Sequence, residues 1–266
     1  MSATANQLTK KLAGKVVVVT GSTQGLGEAI ARYCADAGAL GVVVTGRSAD
    51  KGAQVCAALE AKGARALFVA ADLEQVDDCR RIIAEADRRF GRVDGLVNSA
   101  ATTDRGHLHD TSVELWDRTM ALNVRAPFLL TQEAVRVMKR EGQGGSIVNI
   151  LSMSANGGQP FLCAYSTSKG ALATLTKNNA FALRKDKIRV NGLRIGWMET
   201  PGEHAIQHKD GNPRNWLELA APKQPFGRIL SVDDVAGLTL WLLSNEGEMM
   251  TGSLIDFDQN VIGAYD

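Results

Sequence analysis

The chain has 266 residues, 45% hydrophobic, 22% charged and only 5% aromatic, and 30 Lys and Arg against 29 Asp and Glu leave a net charge of +1. That length supports a large core, and the ordinary apolar fraction excludes a disordered tail, a collagen-like chain and a small disulfide scaffold. Near-neutrality leaves no electrostatic footprint for nucleic acid or an anionic membrane, so neither is an expected partner.

In chain order, short β-branched runs alternate with longer segments of helical period, the rhythm of a parallel sheet covered on both faces. Residues 16–20 form a continuous apolar run, too short for a helix. Leu26, Ala29, Ile30, Tyr33, Cys34 and Ala37 then share one helical face, stopped by Gly38. Residues 42–45 read as the second strand, followed by a helix through Cys56 and Leu59 that ends near Gly63. Residues 66–70 are the third strand, and the stripe Val76, Cys79, Ile83, Ala86, Phe90 ends at Gly91. Residues 93–98 and 146–151 are the fourth and fifth strands, separated by a helical region over about 113–139 with an expected kink at Pro127. A helix over about 164–183 leads to a strand at 188–193. Val232–Leu243 is the last helix, with Ser231 as N-cap, and Leu254–Phe257 the last strand. Residues 197–224, polar and carrying Pro201, Pro213 and Pro222, break the rhythm and read as an irregular functional lid. Without a linker or repeat, the expectation is a single α/β domain over 1–266, a Rossmann-like doubly wound parallel sheet of about seven strands.

Four scattered cysteines, Cys34, Cys56, Cys79 and Cys163, have no C-x-x-C spacing, and residues 1–15 lack an apolar leader core. Buried free thiols, no metal site and a cytoplasmic location are expected.

Between the first strand and first helix stands Thr20-Gly21-Ser22-Thr23-Gln24-Gly25-Leu26-Gly27. Its glycines let the backbone turn tightly and approach a pyrophosphate, while the helix N-terminus aims N–H groups and a positive dipole end at it. The spacing is G-x-x-x-G-x-G, distinct from G-x-G-x-x-G, and no P-loop Lys is present. After the second strand, where an acidic residue would read a ribose 2′-hydroxyl, the chain has Thr45-Gly46-Arg47-Ser48. Arg47 suits a 2′-phosphate, which tips the expectation towards NADP over NAD. Further on, Tyr165 and Lys169 are four residues apart on one helix, with Ser152 thirteen before the Tyr. A cation on the same face favours a phenolate, so Lys169 is expected to lower the Tyr165 pKa.

With these motifs, the chain resembles the short-chain dehydrogenase/reductase family over roughly residues 12–260. The likeness rests on the glycine loop, Asp72-Leu73, Asn98-Ser99-Ala100-Ala101, Asn123, Ser152 and Tyr165-x-x-x-Lys169, all in the family's order. It implies NAD(P)(H) as cofactor and interconversion of an alcohol and a ketone. It implies that Tyr165 is the acid–base group and that Lys169 holds the nicotinamide ribose. Ser152 would orient the substrate oxygen, and Asn123 would anchor a water that relays protons from Lys169. Gly21, Thr23, Gln24, Gly25, Leu26 and Gly27 would meet the pyrophosphate, Asp72 and Leu73 the adenine, and Asn98 and Ala100 the region of the central strands. Gly196, Met198 and Thr200 match the cofactor-contacting turn after the sixth strand. Departures are Ala101 for the usual Gly, Ile195-Gly196 for Pro-Gly, and Asp258-Gln259-Asn260 for Asp-Gly-Gly.

Lid residues Glu203, His204, His208, Lys209, Arg214, Asn215 and Trp216, facing Ser154, Asn156 and Gln159, point to a polar substrate: a sugar, a polyol or a sugar acid. His107 and His109 are candidates for the pocket rim. Trp116, Trp197, Trp216 and Trp241 are not expected to form a stacking platform; Trp116 and Trp241 read as packing residues. The resemblance also implies a homotetramer or homodimer assembled through the helices carrying Asn123 and Tyr165, with residues 261–266 reaching a neighbour. Two rival readings are a 3-oxoacyl thioester reductase, which lacks a visible basic docking patch here, and a non-catalytic dinucleotide sensor, which has no need of an activated phenol.

Overall fold

The structure is a computed structural model that describes residues 11–263; the end of the tail, Ala264, Tyr265 and Asp266, lies outside the described residues. Seven strands form one sheet in the order β3-β2-β1-β4-β5-β6-β7. They are β1 (Val16–Val19), β2 (Gly41–Gly46), β3 (Arg65–Ala70), β4 (Gly95–Asn98), β5 (Gly145–Ser152), β6 (Ile188–Ile195) and β7 (Leu254–Phe257). Every pairing is parallel. The helices between them are α1 (Gly25–Asp36), α2 (Ala49–Glu60), α3 (Val76–Phe90), α4 (Val113–Met120), α5 (Ala126–Glu141), α6 (Cys163–Leu183), α7 (Pro201–Lys209), α8 (Trp216–Ala220) and α9 (Val232–Leu243).

The continuous valine runs follow from burial on both faces. Val17, Val19, Val42 and Val44 pack with Ile30 and Cys34 of α1 and Val235 and Leu240 of α9. Val18, Val43 and Ile147, turned the other way, pack with Ile82 and Ile83 of α3 and Leu130 and Met138 of α5. Successive connections leave β1 in opposite directions, so a crevice opens beyond the carboxyl ends of β1 and β4. All four cysteines are free.

Three expectations are corrected. The irregularity in residues 113–139 lies before Pro127: a π-turn at Ala121–Arg125 runs directly into α5, and Pro127 sits in the first turn of α5. Residues 197–224 are not irregular throughout but contain α7 and α8. Thr200 caps α7 by accepting the Glu203 N–H at 3.0 Å, and Pro201 fills the first helical position. Trp116 is not a core residue; it is exposed, as are Val113, Phe128 and Phe181 on α4, α5 and α6. Trp241 does pack against the core.

Candidate active site

The glycine loop is set by contacts that leave no room for side chains. Gly21 has φ +64°, and a Cβ there would lie 2.9 Å from the Ala100 Cα after β4. Thr20 ties the two strand ends together, its Oγ1 accepting from the Ser99 and Ala100 N–H groups at 3.0 and 3.1 Å. Gly27 faces the Gly21 carbonyl too closely for any side chain. Gly21→Ala is therefore expected to cost about 2 kcal/mol or more and to lower the melting temperature by on the order of 5 °C. Dinucleotide affinity should fall with it, as read by thermal denaturation and fluorescence titration.

Gln24, the N-cap residue of α1, does not cap: its Oε1 accepts from Lys51 Nζ at 2.7 Å, leaving the first-turn amides without a side-chain partner. Such a helix start favours an anion. Thr23 lies against Gly46, while Leu26 is buried in the core. Arg47 is exposed just beyond β2, and Lys51 stands in the first turn of α2, which Ser48 caps. Lys51 was not foreseen; its place in the first turn of a helix capped by Ser48 was the available signal. Asp72 turns one oxygen to the Glu74 N–H at 3.0 Å, and Leu73 is buried beneath it. Thr200 and Pro201 approach Gly25, so the lid starts beside the phosphate loop. Met198 bridges to Leu230, and Gly196 abuts Asp258. Ala101 replaces Gly without strain, since Lys187 is the only non-glycine residue of positive φ among the described residues.

The remaining site residues converge at the end of β5. Ser152 is buried there and accepts from the Ser154 N–H at 3.1 Å. Ser154 in turn hydrogen-bonds Gln159 through its hydroxyl, and Asn156 accepts from Arg194. Lys169 is 3% exposed and donates to the Ile150 carbonyl at 2.7 Å, with its Nζ 5.7 Å from the centre of the Tyr165 ring. Burial lowers the Lys169 ammonium to about 8. The expectation that Lys169 lowers the Tyr165 pKa is corrected. Although Tyr165 keeps part of its surface accessible, desolvation raises its phenol, Ser152 opposes that rise and the Glu203 carboxylate adds to it. Ligand-free, Tyr165 is a protonated donor at neutral pH.

Asn123, in the π-turn, is buried. It accepts from the Thr102 N–H at 2.9 Å and donates to the Thr102 carbonyl and to Ser168 Oγ, both at 3.0 Å. Its side chain thus holds the loop after β4 against α6, one residue before Lys169. Pro127, four residues on, has no N–H to direct at the Asn123 carbonyl. Asn98 donates to Asn149 Oδ1 at 2.8 Å, and Asn149 to Thr176 Oγ1 at 2.8 Å, linking β4, β5 and α6. Asn149, Thr176 and Ser168 were missed, although Asn149 is the register partner of Asn98. The Asn98 Oδ1 atom is left buried with no partner.

Just beyond the end of β6, whose Ile195 is in register with Ser152, Trp197 stacks on Trp216 at 5.4 Å with planes 26° apart. A stacked pair therefore exists, against expectation: α8 brings back an indole 19 positions along the chain. Trp216 Nε1 donates to His204 Nδ1 at 3.0 Å, and His204 Nε2 lies 3.0 Å from Glu199. Because an indole only donates, the imidazole proton sits on Nε2. His208 is exposed, and the His107 and His109 rings lie 5.4 Å apart, tilted to each other, beside Asp110. Asp210, just after α7, pairs with Arg105 of the loop after β4, so the lid is fastened on both sides of the crevice.

The family model described as short chain dehydrogenase matches residues 15–211. The chain belongs to the short-chain dehydrogenase/reductase family. An NADP-dependent (R)-specific alcohol dehydrogenase of Lentilactobacillus kefiri is 33% identical over 92% of this chain and 96% of its own. An L-rhamnose 1-dehydrogenase (NAD(P)(+)) of Sphingomonas sp. (strain SKA58) is 32% identical over 94% and 96%. The crystal structure of a short-chain type dehydrogenase/reductase from Mycobacterium marinum superposes with a TM-score of 0.88 at 30% identity, over 98% of this chain and all of the other. The protein is an NAD(P)-dependent oxidoreductase of alcohols or ketones. The crevice fits that cofactor: the α1 amides, which no side chain caps, would hold a pyrophosphate, and Gly21 and Gly27 let the loop pack closely enough to present them. No helix among the described residues is long and apolar enough to cross a membrane.

Proposed function

We propose that this dehydrogenase interconverts a secondary alcohol and a ketone on a sugar-, polyol- or sugar-acid-derived substrate, with NADP used in preference to NAD. The convergence of Tyr165, Ser152 and buried Lys169 at the carboxyl end of β5 carries the reading. The bound dinucleotide supplies or accepts the hydride. Tyr165 gives its phenolic proton to the carbonyl oxygen in reduction and removes the hydroxyl proton in oxidation. Ser152 hydrogen-bonds the same oxygen and stabilises its developing charge. Lys169 holds the nicotinamide ribose, and Asn123 shapes a water path by which Lys169 is reprotonated.

The polar lid and the likeness to a rhamnose dehydrogenase support a hydroxylated substrate. Arg47 and Lys51, with no carboxylate at the end of β2, support NADP, as does the relative named NADP-dependent. Arg47→Asp is expected to raise the KM for NADP 30-fold or more with a smaller change in kcat, and Lys51→Gln about threefold to tenfold. Initial rates with both dinucleotides check this; unchanged selectivity in both variants would remove the assignment. The exposed Val113, Trp116, Phe128 and Phe181 support a homodimer or homotetramer built on α4, α5 and α6, which sedimentation tests.

The reading as a whole is tested by screening secondary alcohols and sugars with each dinucleotide while following reduced nicotinamide by absorbance. Dinucleotide binding with no turnover of any alcohol or ketone would make the protein a sensor instead.

A further inference from the structure

Glu203 stands at the third position of α7, where a Glu commonly folds back onto the N-cap N–H. Here it does not. Its Oε1 accepts from the Trp197 indole at 2.8 Å and from Gln207 Nε2 at 2.6 Å. Gln207 is buried and further fixed, its Oε1 accepting from Asn212 at 2.7 Å. Among the described residues, the other Glu203 oxygen takes no hydrogen bond and the carboxylate pairs with no cation. Its charge reaches the Tyr165 phenol, which it helps to hold above its ordinary value. The Trp197 that Glu203 holds lies two residues beyond Ile195, the register partner of Ser152, so an oriented acceptor stands at the sheet end that carries Ser152.

The indole that holds this carboxylate is the outer member of the stacked pair. Trp216 beneath it is 5% exposed, whereas Trp197 keeps 39% of its surface open. A rigid ring with an accessible apolar surface, next to a carboxylate with a free lone pair, matches a molecule with C–H groups on one side and hydroxyls at its edge. The charge discriminates as well: a substrate carboxylate brought beside Glu203 in a partly desolvated pocket meets like-charge repulsion.

We propose that Trp197 and Glu203 form a specificity subsite for a neutral polyhydroxylated substrate, a sugar or polyol, and that the subsite rejects the corresponding sugar acids. Trp197 carries the C–H face, and the free oxygen of Glu203 accepts from a hydroxyl near the reacting carbon. This rests on the alcohol–ketone reading of Tyr165 and narrows it.

The test measures kcat/KM for butan-2-ol, a panel of neutral sugars and polyols, and their sugar acids, with saturating dinucleotide. The wild type should favour its best neutral polyol over butan-2-ol by tenfold or more. Glu203→Ala should reduce that preference at least tenfold, chiefly through KM. The isosteric Glu203→Gln, which leaves the lid contacts to Trp197 and Gln207 sterically possible, should improve the sugar acid relative to the neutral sugar tenfold or more. Glu218→Gln, on the exposed side of α8, should leave both ratios within about twofold. Wild-type turnover of butan-2-ol with no polyol preference, or ratios unmoved in both Glu203 variants, would overturn the subsite and leave the alcohol–ketone reading intact. Absence of turnover with every alcohol, despite dinucleotide binding, would overturn both.

Discussion

Tyr165→Phe is expected to lower kcat by three orders of magnitude or more while dinucleotide affinity stays within about threefold. General acid–base groups contribute roughly 10²- to 10⁴-fold, and in the proposed reaction this phenol is the proton donor to the reacting oxygen. The substitution removes one oxygen and leaves the ring that the Lys169 ammonium approaches at 5.7 Å, so neither the crevice nor the glycine loop should move. Persistent turnover in the Phe variant would remove the acid–base assignment. The wild type makes a second demand. Burial holds the phenol above its ordinary value of 10.0, so at neutral pH Tyr165 is the acid that ketone reduction needs. Oxidation needs the phenolate, so its kcat/KM should climb with pH through and beyond pH 8, while reduction falls as the proton is lost. Glu203→Gln removes the charge that adds to the desolvation of the phenol, so it should shift the rise in oxidation towards lower pH. Dinucleotide binding brings its own charge to the site, which makes the pH profile of the ternary complex the measurement to take.

Seven strands were legible because a parallel sheet covered on both sides demands unbroken β-branched runs, and Val16–Val19 and Gly41–Gly46 supply them. The glycine loop and the Tyr165–Lys169 pair were legible because each needs particular residue types at fixed spacing. Structure in the lid was obscured by its prolines and its polarity. Even so, Thr200-Pro201-Gly202-Glu203 carries a helix-start signature: a capping hydroxyl, Pro in the first turn and an acid at the third position. The stack of Trp197 on Trp216 was not legible, since no periodicity relates residues 19 apart across two short helices. Nor was the direction of the Tyr165 shift. Sequence places a cation four residues away, but only the packed structure reveals that burial weakens that cation as well as the phenolate. The Asn98–Asn149–Thr176 chain depends on strand register, which no local pattern supplies.

Lys169→Met is expected to lower turnover 10²-fold or more and yet to leave the ligand-free protein at least as stable at pH 7. The ammonium is buried with one carbonyl partner, and its fall from 10.5 to about 8 corresponds to a penalty of about 3 kcal/mol on the charged form. Methionine fills nearly the same volume without the charge, and replacing a buried ion by an apolar side chain is commonly neutral or stabilising. Against that gain stands the lost bond to the Ile150 carbonyl, about 1–3 kcal/mol if the oxygen is left unsatisfied. The net lies between no change and about 2 kcal/mol in favour of the variant, and pH separates the two contributions. Below about pH 8 Lys169 is charged in folded and unfolded chains alike, and the full penalty is present. Between about 8 and 10.5 the unfolded chain holds a proton that the folded chain has released, so wild-type stability rises relative to the variant. Denaturant melts of both proteins from pH 7 to 10 should therefore show the wild type gaining on the variant as pH rises. A difference independent of pH would mean that Lys169 keeps its proton in the fold as readily as in the unfolded chain, so that burial does not lower it. A variant less stable by more than about 2 kcal/mol at pH 7 would mean that the hydrogen bond outweighs the buried charge. The expected pattern identifies Lys169 as a residue kept at a cost to the fold, as the ribose-holding and proton-passing role proposed for it requires.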